Sequence, residues 1–368
     1  MNDKEQYPRF ARTIPDSEGE AIAIVKYLCS EVQTRHLVVP HEQQEYGTTL
    51  LSSIVVAASE HCPEMTILPV SIPEPGLATD EDIRTAVTAI KNSGFKHIFF
   101  VGDVETFKHL LLLGSEEGIA GNSEYLWTGS WSVGFKLSEE EVEENSKLHK
   151  ALQGFGSVNV EAGVAGQGDT PYDNFVKAFQ SLANPDDMAF INNRQPYPDS
   201  FIPPPTFNKV IIGAPFFMYD AIVTFGLAAC DVTKEVEYFD GSTFYEGILN
   251  TTFEGTTGKV SYIKETGSRE PESTVYSMNN FLGSEPVNGT VIFEPTITNI
   301  FRSGEWSQPD PNVKFVYSGG GTVAPVSMIE AEVNMNYIGT GLRAAGLLLC
   351  AIILALSIGF AFWSKFCS

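Results

Sequence analysis

RHLVVPHEQQEYGTTLLSSIVVAASEH, Arg35 to His61, is the stretch whose reading decides the fold. Its first six residues are a short apolar run closed by proline, the pattern of a buried strand. After the polar loop HEQQEYG, the apolar residues Leu50, Leu51, Ile54, Val55 and Ala58 recur at the i, i+3, i+4 spacing of a helix. The same unit extends in both directions. Upstream, AIAIVKYLCSEV (Ala21 to Val32) has helical spacing. Downstream, MTILPVSI (Met65 to Ile72) predicts a strand and DEDIRTAVTAIKNSG (Asp80 to Gly94) a helix, with Asp80 as N-cap and Gly94 as stop. HIFFVG predicts a strand, VETFKHLLLLGSEEG a helix, and EYLWTGS (Glu124 to Ser130) another strand. Short apolar strands separated by helices require right-handed crossovers and a parallel sheet covered on both faces. The chain therefore predicts a doubly wound α/β domain.

In such a sheet, ligands collect outside the carboxyl ends of the strands. The candidate positions are the loops His41 to Gly47, Pro73 to Asp80, Gly102 to Glu105 and Thr128 to Gly134. None carries a phosphate-cradling glycine pattern. GVAGQGD, from Gly163, has glycine spacing near that of a dinucleotide loop but lacks the flanking strand and helix. GSWSVG misses the nucleophile elbow by one residue and has no placed histidine partner. No HExxH or paired-carboxylate pattern occurs. The reading is of a non-enzyme, with no catalytic residue, cofactor or metal site.

The chain of 368 residues, 43% hydrophobic, can hold one large or two modest domains. Its net charge of −23 disfavours nucleic acid and electrostatic attachment to anionic lipid. The run Glu139 to Glu144 predicts a solvated helix start. Five cysteines are scattered without a CxxC pair, and Cys29, Cys62 and Cys230 in the soluble part permit one bridge whose partners remain open. The sequons at Asn250 and Asn288 fit a lumenal or extracellular domain.

Beyond residue 150 the alternation loosens. A helix PYDNFVKAFQSL precedes a loop rich in Pro and Asn (184–208), then a helix FFMYDAIVTFGLAACDV and antiparallel strands near Gly258 to Lys264, Val275 to Phe281 and Thr290 to Phe293. An acidic, Gly-rich linker leads to AAGLLLCAIILALSIGFAFW, Ala344 to Trp363, which contains no ionisable side chain. At about 1.5 Å of rise per residue it reaches roughly 30 Å, the thickness of a bilayer core. Arg343, Lys365 and Trp363 mark its ends, so the lipid bilayer is its predicted partner. Met1 to Gly19 has no apolar h-region, which predicts no signal peptide.

YDAIVTFGLAA followed by FEGTTGKVSYIKETGSREPESTVYSMNNF resembles the receptor-family ligand-binding region, a bilobed fold like type I periplasmic binding proteins. The matching residues are Tyr219-Asp220-Ala221, then Phe253, Gly255, Thr257, Gly258, Val260 and Tyr262, then Arg269, and Tyr276 with Asn280. FARTIPDSEGEAIAIVKYL, QEYG and YLWTGSW look like the family's hinge strand, first second-lobe helix and ligand-facing loops. The resemblance covers about residues 9–317. It implies a second lobe over 17–163 and 276–317, an incomplete first lobe over 164–275, a linker over 318–339 and a single transmembrane helix over 340–364. Direct entry into the membrane segment, without a cysteine-rich module, looks like the GABA-B-like branch of class C receptors.

The resemblance further implies a small-molecule ligand bound between lobes by Tyr46 and Trp131, signalling by lobe closure, and a receptor homo- or heterodimer. Near Ala214 and Pro215, where the GABA-B-like pattern has a glutamate for the ligand's ammonium, this chain has no carboxylate. The alternative expectation is a tail-anchored interaction protein whose α/β domain stays in the cytosol with reduced cysteines and unused sequons.

Overall fold

The computed structural model describes residues 4–130, 136–137, 146–163, 170–182, 214–234, 238, 240–283, 291–328 and 340–366. Trp131, Asn288, the glutamate run 139–144 and the glycine-spaced residues 164–169 lie outside the described residues.

The alternating region folds as read. Helix α1 (Ser17–Lys26) continues through one π turn to Glu31, then β1 (His36–Glu42), α2 (Glu45–His61), β2 (Thr66–Ile72), α3 (Asp80–Ser93), β3 (His97–Phe100), α4 (Val104–Glu116) and β4 (Leu126–Ser130) follow. Next come β5 (Lys136–Leu137), α5 (Ser146–Leu152), β6 (Phe155–Glu161), α6 (Thr170–Leu182), α7 (Ala214–Val232) and α8 (Gly241–Asn250). The chain continues with β7 (Phe253–Gly255), β8 (Gly258–Val260), β9 (Val275–Gly283), β10 (Val291–Arg302), β11 (Glu305–Ser307) and α9 (Thr340–Phe366).

Strands β2, β1, β3, β4 and β6 lie side by side in that order and run parallel. Of the three strands expected to be antiparallel, two extend this same sheet: β9 pairs antiparallel with β6, and β10 and β11 continue outward; the one near Gly258 is β8, antiparallel to β7 in a separate pair. Successive side chains on a strand point to opposite faces, and the core divides accordingly. Val38, Ile98, Phe100 and Trp127 pack beneath α3 and α4, whereas Leu37, Val39, Phe99, Val101 and Leu126 pack beneath α1 and α2. Both faces are covered, as a doubly wound sheet requires. Each such buried side chain contributes about 1.5–3 kcal/mol.

Local signals set the helix ends. The expected N-cap Asp80 is instead the first helical residue of α3. Thr79 is the cap, because its hydroxyl accepts from the Asp82 N–H while the Asp82 carboxylate reaches back to the Thr79 backbone. Gly94 ends the helix as expected, at φ 71°. The open question of the cysteines is answered by a Cys29–Cys62 disulfide joining the turn after α1 to the end of α2, with Cys230 free.

Outside the large sheet, β7 and β8 form a two-stranded hairpin beside α7 and α8, around a small core of Ala228, Ile248, Val260 and Tyr262. Asp220 on α7 is fully buried. Its carboxylate accepts from the Thr256 and Thr257 backbone N–H groups and both threonine hydroxyls. Gly255 is required there, since a Cβ would lie 2.6 Å from Asp220 Oδ2. The Thr257 hydroxyl in turn accepts from Arg269, which is also fully buried and donates to the Thr13, Thr257, Lys259 and Ser273 carbonyls. Burial lowers the Arg269 guanidinium to about 10, opposed by Asp220, so it stays charged at neutral pH.

The segment 318–328 clasps the amino ends of β1 and β3. The Lys96 N–H donates to Ser327 O at 2.7 Å, Phe95 bridges to Met328, and the Arg35 N–H donates to the Ser327 hydroxyl at 3.2 Å. His97 Nε2 donates to Pro325 O at 2.7 Å, which leaves Nδ1 to accept from Thr34. Burial holds this imidazole down at about 4, so it is neutral.

The described chain divides into two units, 1–328 and 329–368. By length and composition, two helical stretches could cross a membrane, Pro215–Val232 and Arg343–Lys365. The first contains the buried, hydrogen-bonded Asp220 and is built into the first unit. The second has no buried residue.

Candidate ligand-binding cleft

The carboxyl ends of β1, β3 and β4 surround a cleft of about 410 Å³. All four loops expected to face a ligand contribute to it. Gln44 and Tyr46 come from the first, Pro75 from the second, Gly102 and Asp103 from the third, and Gly129 and Ser130 from the fourth. The loops converge because the chain leaves β1 toward β2 on one side and toward β3 on the other, which opens a crevice where the strand order reverses.

Three phenylalanines complete the wall. Phe100 and Phe107 stack at 5.1 Å, and Phe155 tilts against Phe107 at 4.7 Å. Phe100 ends β3 and Phe107 lies one turn into α4. Phe155 opens β6, a strand with no counterpart in the sequence reading, where Gly156, Ser157 and Asn159 dilute the apolar run.

Tyr46, in the first turn of α2, is half-buried between this cleft and a polar groove lined by Arg12, Asp16, Glu18, Glu45 and Thr49. Its hydroxyl donates to the two carboxylate oxygens of Glu20 at 3.2 and 3.3 Å. Burial, then the adjacent Glu20 charge, pushes the tyrosine hydroxyl far up. Ser130 Oγ, buried beside the Tyr46 hydroxyl, opposes that rise. Glu20 and Ser130 stand out only once the chain is folded.

Beneath the cleft floor lies Glu42, the last residue of β1, with no exposed surface. One carboxylate oxygen accepts from Gln44 Nε2 at 2.8 Å and from the Asp103 N–H at 2.9 Å. The other oxygen is buried without a partner among the described residues.

Burial pushes the Glu20 carboxyl from its usual 4.5 up to about 7, opposed by the Tyr46 hydrogen bond. Between those values the folded protein holds a proton that the unfolded chain has released. Glu20 therefore favours folding most below pH 4.5, and this contribution is lost as pH rises toward 7. Glu161 is also raised by burial and adds a slope of the same sign. Buried His97, held down at about 4, adds a slope of the opposite sign over the same window, so Glu20→Gln is expected to make stability rise more, or fall less, between pH 4.5 and 7 than in the wild type. Urea midpoints at pH 4.5, 6 and 8 check this, and parallel curves for the two proteins would refute it.

The family model described as "Receptor family ligand binding region" matches residues 1–280. The chain belongs to this family. No curated protein matches it. Within this receptor ligand-binding region, the motif residues Asp220, Gly255, Thr257 and Arg269 form the buried network described above, and Asn280 clamps β6 to residue 316 through the Phe155 and Val316 carbonyls and the Val316 N–H. The motif marks scaffold. The cleft residues come from the strand ends, helix starts and loops around β1, β3 and β4, outside the Tyr219–Asn280 motif.

Of the expected site residues, Tyr46 lines the cleft, and Asn250 ends α8 at an exposed position with Thr252 of its sequon also exposed. Among the described residues, no group of three or more His, Cys, Asp or Glu side chains could hold a metal ion.

Proposed function

We propose that this chain is the ligand-binding region of a membrane-anchored, GABA-B-like receptor that takes a small organic molecule in the cleft at the ends of β1, β3 and β4. The convergence of four βα loops on one aromatic-walled crevice carries this reading. Tyr46 packs on the ligand from one side and Trp131 from the fourth loop. The second lobe spans 17–163 and 276–317, the first-lobe part 164–275, and 318–339 links the domain to a membrane helix over 340–364. Ligand held between lobes favours the closed form, and closure is passed to the membrane as a shift in population. No catalytic role is assigned.

The Cys29–Cys62 disulfide favours an extracellular or lumenal domain over the tail-anchored cytosolic alternative, since such bridges persist in oxidising compartments. Asn250 and Asn288 are the proposed glycan acceptors, and a receptor homo- or heterodimer is the proposed assembly.

The test is a small-molecule screen on the full chain in lipid nanodiscs, read by ligand-observed NMR. Hits are expected to lose binding when Val104, on the cleft wall, is replaced by tryptophan. Hits indifferent to Val104→Trp would refute the cleft assignment. Enzymatic deglycosylation that leaves the mass of cell-derived protein unchanged would refute the extracellular placement.

A further inference from the structure

We propose that the outer face of α7 is the seam on which two copies of this chain pair, helix against helix and antiparallel. The seam is independent of the cleft being the ligand site. Helix α7 is apolar nearly all round, the composition of a helix covered on every side. Here one side alone is covered. The inward face is fixed by hydrogen bonds: Asp220 and Thr224 are buried, the Thr224 and Tyr262 hydroxyls are 2.9 Å apart, and the Thr13 and Thr256 hydroxyls donate to the Phe217 and Phe216 carbonyls. Turning the helix to hide its outer residues would expose Asp220. The apolar side is therefore held outward.

At the 3.6-residue period, Met218, Tyr219, Ile222, Phe225 and Gly226 share that outer face. The exposed fraction is 64% at Met218, 44% at Tyr219, 67% at Ile222 and 52% at Phe225. At about 200 Å² per large side chain this is roughly 500 Å² per copy, more than half of the ~800 Å² that each partner contributes to a stable interface. An adjoining groove lined by Phe175, Val223 and Phe253 continues the apolar surface. The stripe is also uncharged, since the carboxylates of α7 are the buried Asp220 and Asp231 in the last turn. In a chain of charge −23, contact between copies through other surfaces brings like charges together.

The stripe is complementary to itself, which favours a second copy over an unrelated partner. In an antiparallel pair centred on Ile222, residues equally far before and after it stand level across the seam. Tyr219 of one copy is then level with Phe225 of the other, an aromatic pair. Met218 is level with Gly226, where a Cβ would meet nothing within 4 Å, so the long side chain finds a notch. Both rims are already braced. Tyr219 rests on Phe175 of α6 at 4.8 Å and Phe225 on Phe244 of α8 at 5.9 Å.

The test is disulfide trapping of the full chain in membranes, with Cys230, Cys350 and Cys367 replaced by serine and the Cys29–Cys62 bridge kept. Ile222→Cys, on the two-fold axis, is expected to cross-link to its copy faster than Leu227→Cys, which is exposed on the same helix but lies off the stripe. Tyr219→Cys and Phe225→Cys chains should cross-link faster when mixed than either does alone. Ile222→Glu sets two carboxylates against each other and is expected to weaken pairing roughly a hundred-fold or more, read by sedimentation in detergent. Equal trapping at 222 and 227, or a dimer untouched by Ile222→Glu, would overturn the seam. A monomeric chain overturns it as well. Quenching of a bimane on Ile222→Cys by brominated lipid would put the bilayer on this face in place of a copy. None of these outcomes alters ligand binding in the cleft, which Val104→Trp tests separately.

Discussion

Arg269→Ala is expected to cost about 3–5 kcal/mol of unfolding free energy, the loss that follows when one member of a buried charge system is removed. The cause is the geometry around Asp220. Both charges have no exposed surface, and the Thr257 hydroxyl accepts from Arg269 while donating to Asp220. Without the guanidinium, the Thr13, Thr257, Lys259 and Ser273 carbonyls lose their donors together, and the buried Asp220 carboxylate is left with only neutral donors around it. Against a typical domain stability of about 5–15 kcal/mol, such a change endangers folding itself. Thr257→Val removes only the bridging hydroxyl and should cost less, about 1–3 kcal/mol. Urea denaturation of the three proteins in detergent measures these differences. A loss from Arg269→Ala under about 1 kcal/mol would show that the network contributes no more than an exposed ion pair.

Reducing the Cys29–Cys62 bridge should have the second largest effect. The two residues are 33 apart in sequence. Loop-closure entropy for that separation gives a stabilisation of about 3.7 kcal/mol, through restriction of the unfolded chain. The bridge also fixes the turn after α1 against the end of α2, and these two helices cover one face of the sheet. The expected result is a marked fall in the denaturation midpoint with reductant, absent in a Cys29→Ala/Cys62→Ala variant that starts at the lower value. Equal midpoints for oxidised and reduced wild type would sink this.

The sheet from β1 to β4 was legible because each strand is an unbroken apolar run buried on both faces and each intervening helix keeps one apolar stripe. Topology then indicated where a ligand would sit, and the loops carrying Gln44, Pro75, Gly102 and Ser130 do meet. Strand β6 was not legible. Phe155 to Glu161 alternates Phe and Val with Gly, Ser and Asn, and its burial is supplied by β4 on one side and β9 on the other. Helix α8 escaped for a similar reason. GSTFYEGILN is short and carries two glycines, but the Asp240 carboxylate caps it through the Ser242 and Thr243 N–H groups. The roles of Glu20 and Glu42 depend on neighbours brought in by the fold, so no local pattern could announce them. The family motif was legible as a motif, yet its residues turned out to hold the scaffold together.

The clasp on the amino ends of β1 and β3 has a mechanical corollary. A seven-residue strand such as β1 is about 23 Å long and resists stretching because its neighbours are bonded along its length. Residues 325–328 grip the near end of β1 at Arg35 and of β3 at Phe95, Lys96 and His97, while Glu42 ends β1 and Gly102 follows β3 at the far side. Tension arriving at Met328 is therefore borne in shear by a few short hydrogen bonds and conducted along two rigid rods to the floor of the crevice. Movement of that floor would in turn tug on the exit of the chain.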